Sequence, residues 1–369
     1  MHVLVLYWHP VGAEMRPAVN THLHTLDMLP DLEVEYCNAY VELPDEVERA
    51  HWDAVVLHTT FLCMRWSDAF TAYALRIAWL AKRECLKIAI PQDEYDHSEI
   101  LDEWLYSLGV THVFSNFDEG PRKLLYPILH DRASFSVVLT GYVNQEIVES
   151  ARAQLLPIAE RSVDVVYRAA DLPYWFGANG QRKVAIGRLV ARGADELGLK
   201  TDISSRPEDT IYGDGWTRFL LSSKSVTGCE TGSTALDRRG EIQASIRAML
   251  AADSALSFTQ VAARLPAGWD DHPLTAIGPR HFEAVATKTC QILVDGHYSG
   301  ILEAGRHYVG IAADFSNLSD VLERVRDDAP GLQMIADTAY EDIVGSGQYT
   351  YARLAEQFAT ALGTRPAAR

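Results

Sequence analysis

The sequence predicts an α/β protein built from two Rossmann-like domains, and three observations lead there. Short apolar runs alternate with amphipathic stretches from the first residues onward. The alternation breaks and restarts once, near residues 150–161. At 369 residues the chain is long for one hydrophobic core and comfortable for two.

The first half opens with His2–Tyr7, an apolar run of the kind found in buried parallel strands. Pro10 and Gly12 mark a loop, and a helix is expected near Pro17–Asp27. Strands follow at Leu32–Tyr36 and Ala54–His58. Ser67–Arg83 has helical spacing, with Phe70, Tyr73, Ala74, Ile77 and Leu80 as its apolar stripe. A strand at Lys87–Ile90 stops at Pro91, and a helix near Ile100–Ser107 precedes Gly109. His112–Ser115 and Ser136–Leu139 supply two further strands, and Gln145–Ile158 reads as a helix. The first domain is therefore expected to cover 1–155 and the second 156–350.

The second half repeats the logic. Strands are expected at Val163–Arg168, Leu199–Ile203, Phe219–Leu221, Ser225–Gly228, Gln291–Val294 and Tyr308–Ile311. Helices are expected near Gln181–Leu197, along an arm at Glu241–Leu265, from Pro279, and near Leu318–Asp327, Leu332–Val344 and Tyr351–Leu362. The tail Gly363–Arg369 reads as frayed.

Composition narrows the function. The chain is 48% hydrophobic and 22% charged, ordinary globular material, and carries a formal net charge of −17. That acidity argues against a nucleic-acid partner, which needs a basic surface. It leaves room for a nucleotide held by a local cationic pocket. Five cysteines, Cys37, Cys63, Cys85, Cys229 and Cys290, form no Cys-x-x-Cys pair, so neither a disulfide framework nor a zinc site is indicated. No signal peptide and no spanning run of about 18 apolar residues is visible, which points to a cytoplasmic protein. No Asp-x-Asp triplet and no ligand cluster suggests a metal.

Gly278–Gly300 is the most informative stretch. Pro279 suits a first helical position, where its missing N–H costs nothing. A helix start attracts phosphate, and Arg280 adds a forked cation beside it. Glu283, one turn on, is placed to accept from a ribose diol. The bland alternative is a capped surface helix with an acidic first turn. The loop Gly296–Gly300 follows an apolar run, and its glycines permit close backbone approach to a ligand while Tyr298 and Ser299 offer donors. The alternative there is an ordinary turn with Tyr298 half-buried.

The same stretch resembles the donor-binding motif of group 1 glycosyltransferases of the GT-B fold, in particular the CgeB-like branch. Gly305-Arg-His-Tyr308, Asp314-Phe-Ser-Asn-Leu318, Ile335–Asp342, Asp164–Arg168, Leu172–Gly177 and Gly228–Ser233 are similar as well. The match covers the last two-thirds of the chain well and the first third loosely. It implies two Rossmann-like domains facing across a cleft, an acceptor on the first and a nucleotide sugar on the second. It also implies that the last helix, within 351–369, packs back on the first domain.

The resemblance implies a donor site of Arg168, Tyr212, Gly213, Glu230, Arg280, His281, Glu283, Tyr298, Ser299 and Gly300, with Glu283 on the ribose. The donor would be a UDP-sugar, and no cofactor or metal is called for. Many members carry a glutamate eight positions before Glu283, where this chain has Thr275. The stereochemical course therefore stays open. Read from the residues alone, Arg168 is equally an ion-pair partner and Glu230 a strand-exit polar group, while Tyr212-Gly213 and Trp216 either line a base pocket by stacking or belong to the core.

An inverting transfer needs a base for the acceptor hydroxyl. His9 follows the first strand and Asp93-Glu94 follow the fourth, and these three are the candidates. Capping for Asp93 and a satisfied loop imidazole for His9 are the alternatives. The expected partners are a small-molecule nucleotide sugar and an acceptor, with a homodimer left open. Donor epimerisation, donor hydrolysis and a non-catalytic nucleotide-binding scaffold remain alternatives to transfer.

Overall fold

The computed structural model describes residues 1–41 and 43–364, so the end of the expected frayed tail, 365–369, lies outside the described residues. The chain divides into two compact units. The first holds Met1–Val138, Leu236–Trp269 and the chain from Tyr351 onward; the second holds Leu139–Ala235 and Asp270–Thr350.

The first unit is built on a six-stranded parallel sheet in the order β2-β1-β3-β4-β5-β6. Its strands are β1 (His2–Tyr7), β2 (Glu33–Asn38), β3 (Ala54–His58), β4 (Leu86–Ile90), β5 (His112–Ser115) and β6 (Ser134–Val137). β3 is buried at every position and β1 from Val3 to Leu6. Such runs suit central strands covered on both faces. Glu33 and Glu35 point outward from β2, an edge strand kept soluble by charge.

The second unit is built on a five-stranded parallel sheet in the order β13-β12-β9-β7-β8. These are β7 (Val163–Arg168), β8 (Thr201–Ser204), β9 (Ser223–Gly228), β12 (Cys290–Val294) and β13 (Val309–Ile311). A short antiparallel pair, β10 (Thr231–Ser233) and β11 (Leu274–Ala276), lies beyond the end of β9.

Several elements differ from the sequence expectation, each for a tertiary reason. Residues 139–155 belong with the second unit. Val143 N–H donates to the Tyr349 carbonyl at 2.7 Å, and Val143 and Val148 share a core cluster with Ile277 and Phe282. The arm at 236–269 goes with the first unit. Asp237 N–H donates to Tyr95 O at 3.0 Å, Ser98 N–H donates to Asp237 O at 3.2 Å, and Arg238 and Arg239 both pair with Glu99. The arm is two helices, Glu241–Ala252 and Phe258–Ala262, the second opened by a Ser257/Gln260 capping box.

Ser67–Arg83 is not one helix. Only Phe70–Arg76 is α-helical, because the Arg76 guanidinium reaches away to the carbonyls of Ala39 and Val41 and Ile77 leaves helical geometry. Phe219–Leu221 closes the helix Asp214–Leu221 and is not a strand. The final helix, Tyr351–Leu362, packs on the first unit, where Phe358 stacks on Phe114 at 4.5 Å. All five cysteines are free, and Cys37, Cys229 and Cys290 are buried. No helix among the described residues is long and apolar enough to cross a membrane.

Candidate functional site

Strand order places the candidate site in the second unit. From β7 the sheet grows toward β8 on one side and toward β9 and β12 on the other. The order therefore reverses between β7 and β9, and ligands of open α/β sheets bind beyond the carboxyl ends of strands at such a reversal. Arg168 ends β7, and Cys229-Glu230 follow β9.

Two helix starts converge on that point. Helix Gly177–Glu196 begins with Ala178 N–H on the Asp270 carboxylate (3.0 and 2.8 Å) and Asn179 N–H on Thr234 Oγ1. Asn179 Nδ2 reaches the Glu230 and Gly232 carbonyls at 3.3 and 3.0 Å. Helix Pro279–Ala286 has Pro279 at its first position and Gly278 as its N-cap. Its His281 takes the Gly278 N–H on Nδ1 at 2.9 Å.

Burial, with help from Lys183 and Arg280, pushes the His281 imidazole down to about 4, so the ring is neutral. Arg182 and Lys183 likewise favour the thiolate of Cys229, although burial still leaves that thiol raised. Lys183 acts on both of these buried groups, Arg280 on His281 and Arg182 on Cys229.

Arg280 and Glu283 are brought together, and Trp216, weighed between base stacking and the core, lies with them. Arg280 is exposed, and its guanidinium lies 5.1 Å over the Trp216 ring and donates to the Arg168 carbonyl. Trp216 Nε1–H donates to Glu283 Oε2 at 2.7 Å. Burial raises the Glu283 carboxyl, while the Trp216 N–H and Arg280 pull it back. The carboxylate and the guanidinium are therefore oriented by one indole, which holds both before any ligand arrives.

The remaining candidates divide. Arg168 is locked as an ion pair: its guanidinium meets Asp202 at 2.6 Å, the Asp209 carbonyl at 3.1 Å and the face of Phe219 at 4.7 Å. It contributes its carbonyl to Arg280 and not its charge to a ligand. Tyr298 is a core residue, 0% exposed, with its hydroxyl on Val294 O at 2.6 Å and its ring against His281 and Tyr308. His281 is buried as well, with Nδ1 used on its own helix start. These three side chains are structural because each satisfies its polar atoms inside the unit.

Glu230 is half-buried and ties the exits of β9 and β12 to the middle of β11. One oxygen accepts Tyr298 N–H at 2.7 Å and the other accepts Thr275 Oγ1–H at 3.0 Å. A Cβ at Gly296 would sit 2.6 Å from that carboxylate, so any other residue there would have to displace Glu230. Tyr298, Ser299 and Gly300 all have positive φ (46°, 55° and 72°), a run that only dense local bonding sustains. Ser299 Oγ accepts Ile277 N–H at 3.2 Å. Tyr212 is 55% exposed, and Gly213 (φ 53°) opens the helix that carries Trp216.

The core assignment of Tyr298 is testable. Tyr298→Phe is expected to destabilise the free protein by about 1 kcal/mol, the worth of one buried hydrogen bond, and to leave nucleotide affinity within about twofold. Denaturant unfolding and nucleotide titration of the same variant read the two effects separately.

The first-unit candidates also divide. Glu94 is fully buried and enclosed by Ser115 Oγ–H (2.7 Å), Tyr126 Oη–H (2.5 Å) and Asn116 N–H (2.6 Å). It is a core carboxyl out of a substrate's reach. Asp93 is half-buried, has φ 49°, and accepts the Tyr95 hydroxyl at 2.5 Å. His9 lies in the loop after β1, where the order of that sheet reverses between β1 and β3. Its backbone is clamped by Asn38 at 3.0 and 2.7 Å, and its Nε2 lies 2.9 Å from Ala13 O. A neutral ring donating there keeps its lone pair on Nδ1, which is what a general base needs. β3 lies between β1 and β4, so one strand separates the strands that lead into the His9 and Asp93 loops. No group of three potential metal ligands occurs among the described residues.

No protein-family model matches the sequence, and no curated protein matches it at the sequence level. Solved structures do. Anabaena HepE in complex with UDP-glucose is similar with a TM-score of 0.55 at 12% identity, over 98% of this chain and 99% of that one. T4 phage BGT in complex with UDP and Mn²⁺ gives 0.53 at 13% identity, over 98% and 99%. Sucrose-phosphate synthase from Thermosynechococcus elongatus gives 0.52 at 12% identity, over 97% of each chain. At such identities the likeness is one of fold, and the fold is GT-B.

Proposed function

We propose that this protein is a glycosyltransferase that moves a hexosyl or N-acetylhexosaminyl group from a nucleotide-diphosphate donor to a small-molecule or glycan acceptor. The observation that carries the reading is the second unit's strand reversal, where Arg280 and Glu283 are oriented by Trp216 at the start of helix Pro279–Ala286. A nucleoside diphosphate has the matching chemistry: two phosphates for the cations and N–H groups, and a ribose diol for the carboxylate. Structural neighbours that hold UDP or UDP-glucose support uridine as the base. The motif resemblance supports the CgeB-like branch.

The chemistry follows from these groups. The bond from the sugar's anomeric carbon to the diphosphate oxygen breaks, and its electron pair leaves with the diphosphate. Arg280, Lys183 and Arg182 stabilise that charge, a task that fixed cations and helix dipoles perform without a metal. The acceptor oxygen forms the new bond to the anomeric carbon and loses its proton. His9 Nδ1 takes that proton in an inverting course.

Thermal unfolding with UDP, GDP and ADP, each without and with Mg²⁺, tests the site. A ligand at 100 times its dissociation constant adds about 2.7 kcal/mol to the native state. UDP is expected to raise the midpoint by several degrees, in EDTA as well as in Mg²⁺. No shift with any of the three would overturn the donor site. A shift with UDP but no acceptor-dependent sugar transfer would favour a nucleotide-binding scaffold.

A further inference from the structure

The first unit carries an aromatic platform beside His9 that the donor chemistry does not use. Trp8 follows β1 directly. Its backbone N–H donates to Thr60 Oγ1 at 3.2 Å and its indole Nε1–H to Tyr73 Oη at 3.1 Å. Its ring meets Tyr40 edge-on, with centroids 5.3 Å apart and planes at 68°. Arg76 completes the frame, lying 5.3 Å over Tyr73 and donating to the Ala39 and Val41 carbonyls at 2.9 and 3.2 Å. Loop and helix are thereby tied into one preformed surface.

That surface is open. Tyr40 is 46% exposed and Val41 45%, and Val11, two residues beyond His9, is 72% exposed. Exposed aromatic and aliphatic side chains gathered at the carboxyl ends of β1 and β2, where ligands of such sheets bind, are expensive to leave in water without a use. Arg76 also lines a cavity of about 280 Å³ together with Leu43, Pro44, Asp45, Glu48 and Trp79. Two carboxylates on that wall disfavour an anionic occupant.

We propose that Trp8, Tyr40 and Tyr73 form the acceptor subsite, and that the acceptor is an uncharged molecule presenting a flat, apolar ring face, aromatic or pyranose. The proposal rests on the glycosyltransferase reading above. Tyr73 Oη accepts the indole N–H, which turns its own proton outward for an acceptor oxygen. Stacking on Trp8 and Tyr40 would hold the ring at the carboxyl end of β1, the strand whose following loop carries His9.

The test is calorimetric titration of the full chain saturated with UDP, using three probes: 4-methylphenol, 4-nitrophenyl β-glucoside and methyl β-glucoside. At least one ring-bearing probe is expected to bind, with Tyr40→Ala and Trp8→Ala each weakening it about tenfold and Trp8→Phe keeping most of the affinity. Preference for 4-methylphenol identifies an aromatic acceptor, and preference for methyl β-glucoside a sugar acceptor. Unchanged affinity in both alanine variants would overturn the platform, as would failure of all three probes to bind while UDP binds. If UDP itself fails to bind and the probes still respond to Trp8 and Tyr40, the donor reading falls and the platform stands. Tyr40→Ala, at an exposed position, keeps the test valid if Trp8→Ala does not fold.

Discussion

Arg280→Ala is expected to weaken UDP binding by about a hundredfold, or about 2.7 kcal/mol, while leaving the melting point of the free protein nearly unchanged. The size follows from the type of contact. A forked guanidinium meeting a diphosphate makes paired charge-assisted hydrogen bonds, and Arg280 is already held in place by the Trp216 ring and the Arg168 carbonyl. The stability half follows from exposure, since Arg280 projects from the first turn of its helix and leaves no cavity when shortened. Lys at this position is expected to recover little, because an ammonium has no planar face to lie on Trp216 and no fork for two oxygens. Isothermal titration with UDP checks the affinity and a melting curve of the unliganded variant checks the fold. An unaltered dissociation constant would remove Arg280 from the site.

The parts of this site differ in how legible they were, and the difference is physical. Arg280 and Glu283 could be read because both lie on one short helix whose start is written in Gly278-Pro279. Trp216 could be read only as a base-stacking or core aromatic and not as a partner of Glu283, since it lies 67 residues from the carboxylate its indole orients. Within an amphipathic stretch it looks like any core aromatic. Tyr298 misled in the opposite sense. Its hydroxyl suggested a ligand contact, yet the left-handed backbone of residues 298–300 turns the ring inward onto Val294, His281 and Tyr308.

Glu94 misled in the same way, because burial against Ser115 and Tyr126 leaves no trace in local sequence. The strands fared better. β1, β3, β7 and β12 are runs buried on both faces, and that pattern needs no partner to be recognised. The short β10–β11 pair has three residues per strand and no period to detect.

Acid is expected to loosen the first unit in a definite window, through two histidines the sequence did not single out. Thr60 N–H points at His58 Nδ1 at 3.3 Å, so that nitrogen carries a lone pair and His58 Nε2 carries the proton. Nε2 lies 2.9 Å from His22 Nδ1, which accepts, and His22 Nε2–H then has no partner among the described residues. Both rings are buried and neutral. Burial pushes His22 down to about 4 from 6.5, and burial with the His22 and His24 charges pushes His58 well below its usual value.

A depressed pKa means the folded state resists the proton. The stability is fully present above pH 6.5 and is lost as pH falls toward 4. His22 alone supplies on the order of 3 kcal/mol over that span. His22→Gln keeps an acceptor for His58 but cannot titrate, so the difference between its melting point and the parent's is expected to move in its favour as pH drops from 7 to 4.5. Parallel curves would refute the pair's role.

Glu94 supplies the opposite slope. Burial lifts it to about 7 from 4.5 against its three donors, so its contribution is present below 4.5 and lost as pH rises through 7. Glu94→Gln is therefore expected to gain on the parent as pH rises across that range, while His22→Gln gains as it falls. Two single variants with mirror-image pH profiles would assign the acid and neutral limbs of the first unit's stability to these two buried sites.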